Sequence, residues 1–209
     1  HVFYLLNALL FIFLGLLYLK KLLRLFFDDR TTGFTILILY LGTNALVTFG
    51  IQYDLTHLYL FALNSIFLYH LFQYQQTDKK RNLILSAAFL GLTVCIRPTQ
   101  VLFGIIPLFI ILKKHKENKF LALKKLLWFP LFGLIWNIPQ IYYWYSVGGQ
   151  LLVPNMHTEE IIIIDPNIID FLFSYKKGWL LYSPLFLILP IGFYQLFKFN
   201  RNLFWSSIT

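Results

Sequence analysis

Residues 83–112 read LILSAAFLGLTVCIRPTQVLFGIIPLFIIL, an apolar stretch interrupted near its middle by Arg97-Pro98. A helix of about 20 apolar residues crosses the ~30 Å hydrocarbon core of a bilayer at ~1.5 Å per residue. The stretch is therefore either one long tilted helix or two short ones. The flanking lysines separate these readings. A single crossing places Lys113, Lys114, Lys116, Lys119, Lys124 and Lys125 opposite the clusters Lys20-Lys21-Arg24 and Lys79-Lys80-Arg81. A hairpin brings all of them to one side, as the positive-inside bias expects. The sequence thus predicts a short-helix hairpin with legs 83–96 and 99–112. Each leg reaches only about 21 Å, so the Arg97-Pro98-Thr99 apex is expected beneath the outer surface. Irregular backbone and a guanidinium at that depth call for a hydrated pocket. Snorkelling of Arg97 to the headgroups is the simpler alternative.

The rest of the chain agrees with a membrane setting. Of its 209 residues 58% are hydrophobic, 20% aromatic and only 13% charged, and the mean hydropathy is +0.67. That composition excludes a water-soluble globular domain and a disordered chain. Runs at 2–19, 34–49, 58–74, 126–145 and 179–197 are long enough to cross, and another starts at 203. They do not alternate polar and apolar residues, which excludes a β-barrel. The expected fold is all-α, a polytopic transmembrane helix bundle in one domain, with outer loops at 50–57 and 146–178. The chain starts at His1 already inside an apolar run and stops as another begins, so it reads as a fragment, and 2–19 reads as a transmembrane helix and not a signal peptide. The single cysteine, Cys95, permits no internal disulfide.

On this topology every basic residue except Arg97, Lys176 and Lys177 is cytoplasmic, so the net charge of +9 sets orientation. It does not indicate nucleic-acid binding. Lys176 and Lys177 stand outside against the bias, and an anionic lipid phosphate is the partner they suit; contact with bulk phospholipid is the bland reading. Asp54 and His57, three residues apart in YDLTH, share a helix face if the third run extends outward by a turn. They then form a general-base pair, or Asp54 or Thr56 caps the helix. His157, Glu159 and Glu160 make a second outer polar cluster, in which a loop acid accepts a hydroxyl proton or the acids form a solvated face. Asn64 and His70 suit polar contacts between helices. Tyr142, Tyr143, Trp144 and Tyr145 suit an interfacial aromatic belt. The five histidines show no metal-ligand spacing, so no metal site is expected, and a divalent cation stays open. The outer loop at 146–178 allows a short strand or an interfacial helix at 168–173.

Three phrases carry a family resemblance: Thr56-His57 followed by LYLF, the GLTVCIRPT of 91–99, and the SYKKGWLLYSP of 174–184. Together they resemble bacterial C-type integral-membrane glycosyltransferases of the family 39-like group, relatives of protein mannosyltransferases and of lipid A aminoarabinose transferases. The resemblance runs from about Asn44 to the C-terminus. It implies an enzyme of the bacterial inner membrane that moves a sugar from a polyprenyl-phosphate donor to a glycan, lipid or protein acceptor on the periplasmic face. Arg97, Lys176, Lys177 and Tyr182 would then hold the donor phosphate, with Asp54 and His57 beside the acceptor. In the family the main catalytic acid belongs to the first outer loop, which is expected upstream of this fragment. Two other classes share the features read so far. A transporter or flippase of a lipid-linked sugar would use the same cavity and cations, although the absence of a visible internal repeat counts against it. A non-catalytic membrane scaffold is the third reading.

Overall fold

The computed structural model describes residues 2–45, 48, 56–149, 168–175, 178–199 and 201. The described residues are all α or 3-10 helix joined by short turns. In chain order they form α1 (Val2–Leu23), α2 (Asp29–Gly42), α3 (Thr56–Thr77), α4 (Lys80–Ile96), a 3-10 helix (Pro98–Gly104), α5 (Ile105–Lys114), α6 (Lys119–Leu126) and α7 (Trp128–Gly148). Beyond 167 follow α8 (Ile168–Phe173), α9 (Trp179–Tyr182), a second 3-10 helix (Pro184–Ile188) and α10 (Leu189–Phe199). Val2–Leu23 and Lys119–Gly148 are long and apolar enough to cross a membrane by length and composition.

Helix boundaries follow local chemistry. Asp28, with extended backbone, caps α2 by accepting a hydrogen bond from the Thr31 N–H (3.4 Å). α2 thus starts at Asp29, ahead of the apolar run at 34–49, and it ends at Thr43, whose backbone is extended. The apolar run at 179–197 is broken at Ser183, which precedes Pro184 and is driven out of the α region (φ −140, ψ 66). At Arg97, also before a proline, the backbone is extended (φ −144, ψ 110), and the chain resumes as 3-10 before returning to α at Ile105.

Side-chain contacts give the helix directions. Asn7 Nδ2 donates to Tyr59 Oη (3.2 Å), while further along Tyr18 meets Tyr69 edge to face, so α1 and α3 run parallel. α4 turns back against α3 through Asp78-Lys79, and His70 pairs with Asn82 across the turn (3.2 Å). α5 returns beside them: Ile110 packs with Phe67 and Leu90, and Ile111 packs with Tyr74 and Leu83. α7 runs parallel to α4, since Trp128 lies by Leu83 and the Cys95 thiol donates to the Trp136 carbonyl (3.3 Å). The closest approach is at Gly91, where a Cβ would stand 2.8 Å from the Phe132 backbone. Small residues at helix interfaces let backbones meet in this way. α1, α3, α4 and α7 therefore form a row, with α5 folded against α3 and α4.

The bundle has two chemically different ends. At one end the C-terminus of α1, the α3–α4 turn and the α5–α6 turn gather Lys20, Lys21, Lys79, Lys80, Lys114 and Lys125. At the other end stand the N-termini of α1 and α3, the C-termini of α2 and α4, and Arg97.

Candidate functional site

The end opposite the basic clusters collects the described parts of two of the motif segments, and Leu185, just after the third, also comes to it. His57 lies in the first turn of α3 and is exposed. Asn64, seven residues on, shares its helix face, and its Nδ2 donates to Gln100 Oε1 (2.9 Å). Gln100 sits in the 3-10 segment just after Arg97-Pro98-Thr99. The Asn64–Gln100 bond thus ties the hairpin apex to α3, with His57 about 10 Å further out along the axis. Asn64 Oδ1 is buried and has no partner among the described residues.

Arg97 is held by its backbone. Its N–H donates to the Thr93 carbonyl (2.9 Å) and its carbonyl accepts from the Gln100 N–H (2.9 Å). Its guanidinium is exposed and makes no ion pair among the described residues. An exposed, unneutralised guanidinium on a fixed backbone is suited to bind an oxyanion bidentately.

The chain just after the third segment reaches the same end through α2. Leu185 comes close to Gly42, where a Cβ would meet its Cδ2 at 3.5 Å. Tyr40, near the end of α2, packs against Ala8 and Leu58. Within this segment Gly178 donates its N–H to the Ser174 carbonyl (2.7 Å). A Cβ there would stand 2.5 Å from the same oxygen, so position 178 accepts only glycine. Tyr182 closes α9, and Ser183 beside it is buried. Asp54, His157, Glu159, Glu160, Lys176 and Lys177 lie outside the described residues. Ile168–Phe173 is helical and largely exposed. Among the described residues no three His, Cys, Asp or Glu side chains converge as metal ligands.

A cavity of about 230 Å³ opens at the basic end, lined by Tyr74, Asp78, Lys80 and Trp128 among others. Beside it is a polar network that sequence reasoning missed. Asp78 ends α3 in the left-handed region (φ 55), which aspartate tolerates better than most residues. Its carboxylate pairs with Lys114 (3.3 Å) and Lys125 (3.2 Å). Lys114 Nζ also donates to the Tyr74 and Gln75 carbonyls in the last turn of α3 (2.8 and 2.9 Å). His115 Nε2 lies 2.9 Å from Tyr74 Oη and 3.1 Å from Lys125 Nζ. An ammonium only donates, so Nε2 is the acceptor and the ring is neutral with its proton on Nδ1. Burial, and then the Lys125 charge, hold His115 below its ordinary value. Burial alone would raise the Asp78 carboxyl, but the hydrogen bonds and charges of Lys125 and Lys114 outweigh it and hold Asp78 below the usual carboxylate range.

Residues 2–143 match the family of dolichyl-phosphate-mannose-protein mannosyltransferases, well over half of the chain. The chain belongs to this family. It is accordingly a membrane protein of a glycosyltransferase family, with apolar helices to match. The match takes in α1 and α2, upstream of the span from Asn44 on which the resemblance rested, and it stops short of the SYKKGWLLYSP segment. No curated protein and no solved structure matches the chain significantly.

Proposed function

We propose that this chain carries part of a multi-pass inner-membrane glycosyltransferase that takes a sugar from a polyprenyl-phosphate donor at the end of the bundle bearing Arg97, on the periplasmic face. The observation that carries this is the charge asymmetry of a family member: Arg97 stands exposed at the end opposite the clustered lysines, on a backbone locked to Thr93 and Gln100. The family description names a dolichyl-phosphate sugar and a protein acceptor, which makes a lipid-phosphate donor the chemistry to test.

In the transfer the acceptor oxygen attacks C1 of the sugar as the bond from C1 to the phosphate oxygen breaks, inverting the anomeric centre. The acceptor proton passes to a base, and polyprenyl phosphate leaves with the bonding electrons. A phosphate leaving group needs little protonation but gains from fixed positive charge. Arg97, Lys176 and Lys177 supply that charge in this proposal, with Tyr182 beside them. Asp54 and His57 flank the acceptor, the main base lying elsewhere in the protein, and His157, Glu159 and Glu160 belong to the loop that meets it.

The test is sugar transfer from a polyprenyl-phosphate-linked sugar in membranes holding wild-type or variant protein. Arg97→Ala is expected to lower turnover by about 10²- to 10³-fold, the loss seen on removing one preorganised charge donor, with Arg97→Lys intermediate. Helix content is expected to stay unchanged, because the apex is held by backbone bonds and by Asn64–Gln100. Wild-type turnover in both Arg97→Ala and the Lys176→Ala, Lys177→Ala double variant would refute the proposal.

A further inference from the structure

The cavity at the basic end is built unlike a solvated charge cluster. Its lining combines the apolar side chains of Leu83, Leu121 and Trp128 with Lys80, Lys124 and Lys125. Asp78 also lines it, but that carboxylate is already matched by Lys114 and Lys125. Lys80 and Lys124 make no ion pair among the described residues, and the Lys80 ammonium stands 5.4 Å over the Trp128 ring. Leu127, just before α7, and Leu131 and Leu134 on it are exposed, an open apolar face for hydrocarbon next to Trp128 in sequence.

Two ammonium groups without an ion pair among the described residues, beside an apolar lining, complement an amphiphile with a negative head. A free phosphate ion would satisfy the lysines and leave Leu121 and Trp128 facing water. A volume of about 230 Å³ takes a headgroup, whereas acyl chains must run out along α7. Basic pockets between membrane helices bind anionic headgroups by this combination of charge and shape.

We propose that this cavity is a binding site for an anionic phospholipid of the leaflet at the basic end, its phosphate between Lys80 and Lys124 and its acyl chain passing Trp128 onto α7. The site is separate from the donor site placed at the opposite end and depends only on the chain being in a membrane. Its occupant bridges the start of α4 and the α6–α7 junction, elements distant in sequence.

The test uses the full chain reconstituted in phosphatidylcholine vesicles, titrated with phosphatidylglycerol brominated on its acyl chains. The signal is the quenching of Trp128, taken as the difference between the native chain and Trp128→Phe. Saturable quenching is expected, and the Lys80→Ala, Lys124→Ala double variant should need about 30-fold more phosphatidylglycerol, at about fivefold per lysine. Lys80→Arg with Lys124→Arg should restore most of it. The Lys20→Ala, Lys21→Ala variant, which loses charge at the same end but away from the cavity, should shift the titration by a few-fold at most.

An equal shift in that control means diffuse surface attraction and overturns the proposal. Displacement by 10 mM inorganic phosphate overturns the lipid as occupant. Equal quenching by brominated phosphatidylcholine in the native chain overturns it as well, and this comparison decides the matter even if the lysine variants fail to fold.

Discussion

Gly91→Ala is the sharpest probe of the bundle, because a single methyl group lands on the backbone of the neighbouring helix. The new Cβ would stand 2.8 Å from both the Phe132 carbonyl carbon and its oxygen, and 2.9 Å from Trp136 Cδ1. Ordinary carbon contacts lie at about 3.5–4.0 Å, so α7 has to withdraw by about 0.7–1.2 Å. Backbone atoms cannot rotate away as a side chain can, which places the substitution at the upper end of the ~1–3 kcal/mol typical of overpacking. Alanine regains about 1 kcal/mol of helix propensity over glycine, leaving a net loss of about 2 kcal/mol. For a chain of this size that lowers Tm by about 4–8 °C. Gly133 on α7 is the internal control, since a Cβ there meets nothing within 4 Å. Gly133→Ala is expected to raise Tm by about 2–4 °C through propensity alone. Thermal unfolding in detergent, followed by circular dichroism, reads both. If Gly91→Ala melts at or above the wild type while Gly133→Ala rises, the close α4–α7 packing is refuted. Arg97 lies about 9 Å further along α4, so the same displacement is expected to lower sugar transfer as well.

The Asp78 network gives stability a defined acid dependence. With its carboxyl held below the usual range, Asp78 contributes fully above its unfolded value, and the contribution disappears as pH falls through the lowered folded value. Asp78→Asn keeps the left-handed backbone accessible and removes the charge. It is expected to cost at most about 1 kcal/mol at pH 7, because the carboxylate is half exposed and screened, and to flatten the profile below about pH 4. His115, held below its ordinary 6.5, is protonated first in the unfolded chain. Stability therefore falls as pH drops from about 6.5 towards the folded value, and His115→Gln should reduce that slope; an unchanged slope in chemical denaturation would reject the neutral imidazole. The orientation of the two ends is tested by labelling in a Cys95→Ser background. Lys116→Cys should react with an impermeant maleimide only after cells are permeabilised, and His57→Cys in intact cells. The reverse pattern would turn the donor site to the cytoplasm.

Part of the candidate site could be read from the chain as written. Arg97 was visible because a charge followed by proline in an apolar run breaks a helix whatever surrounds it. His57 was visible from its place at the head of a run. Tyr74, Asp78, His115 and Trp128 were not, since their pairings join residues about 40 positions apart in sequence and periodicity carries no such information.

Apolar length, proline and capping residues act over a few neighbouring residues, so the order of residues alone dictated an all-helical membrane chain, the break at Arg97 and the gathering of lysines into turns. Which helices touch was decided in three dimensions. The parallel pairs α1–α3 and α4–α7, the contact at Gly91 and the lysine-lined cavity arise because each apolar helix offers several comparable faces. Close packing and half-buried polar partners such as Asn64 with Gln100 select among those faces only once the whole bundle has assembled.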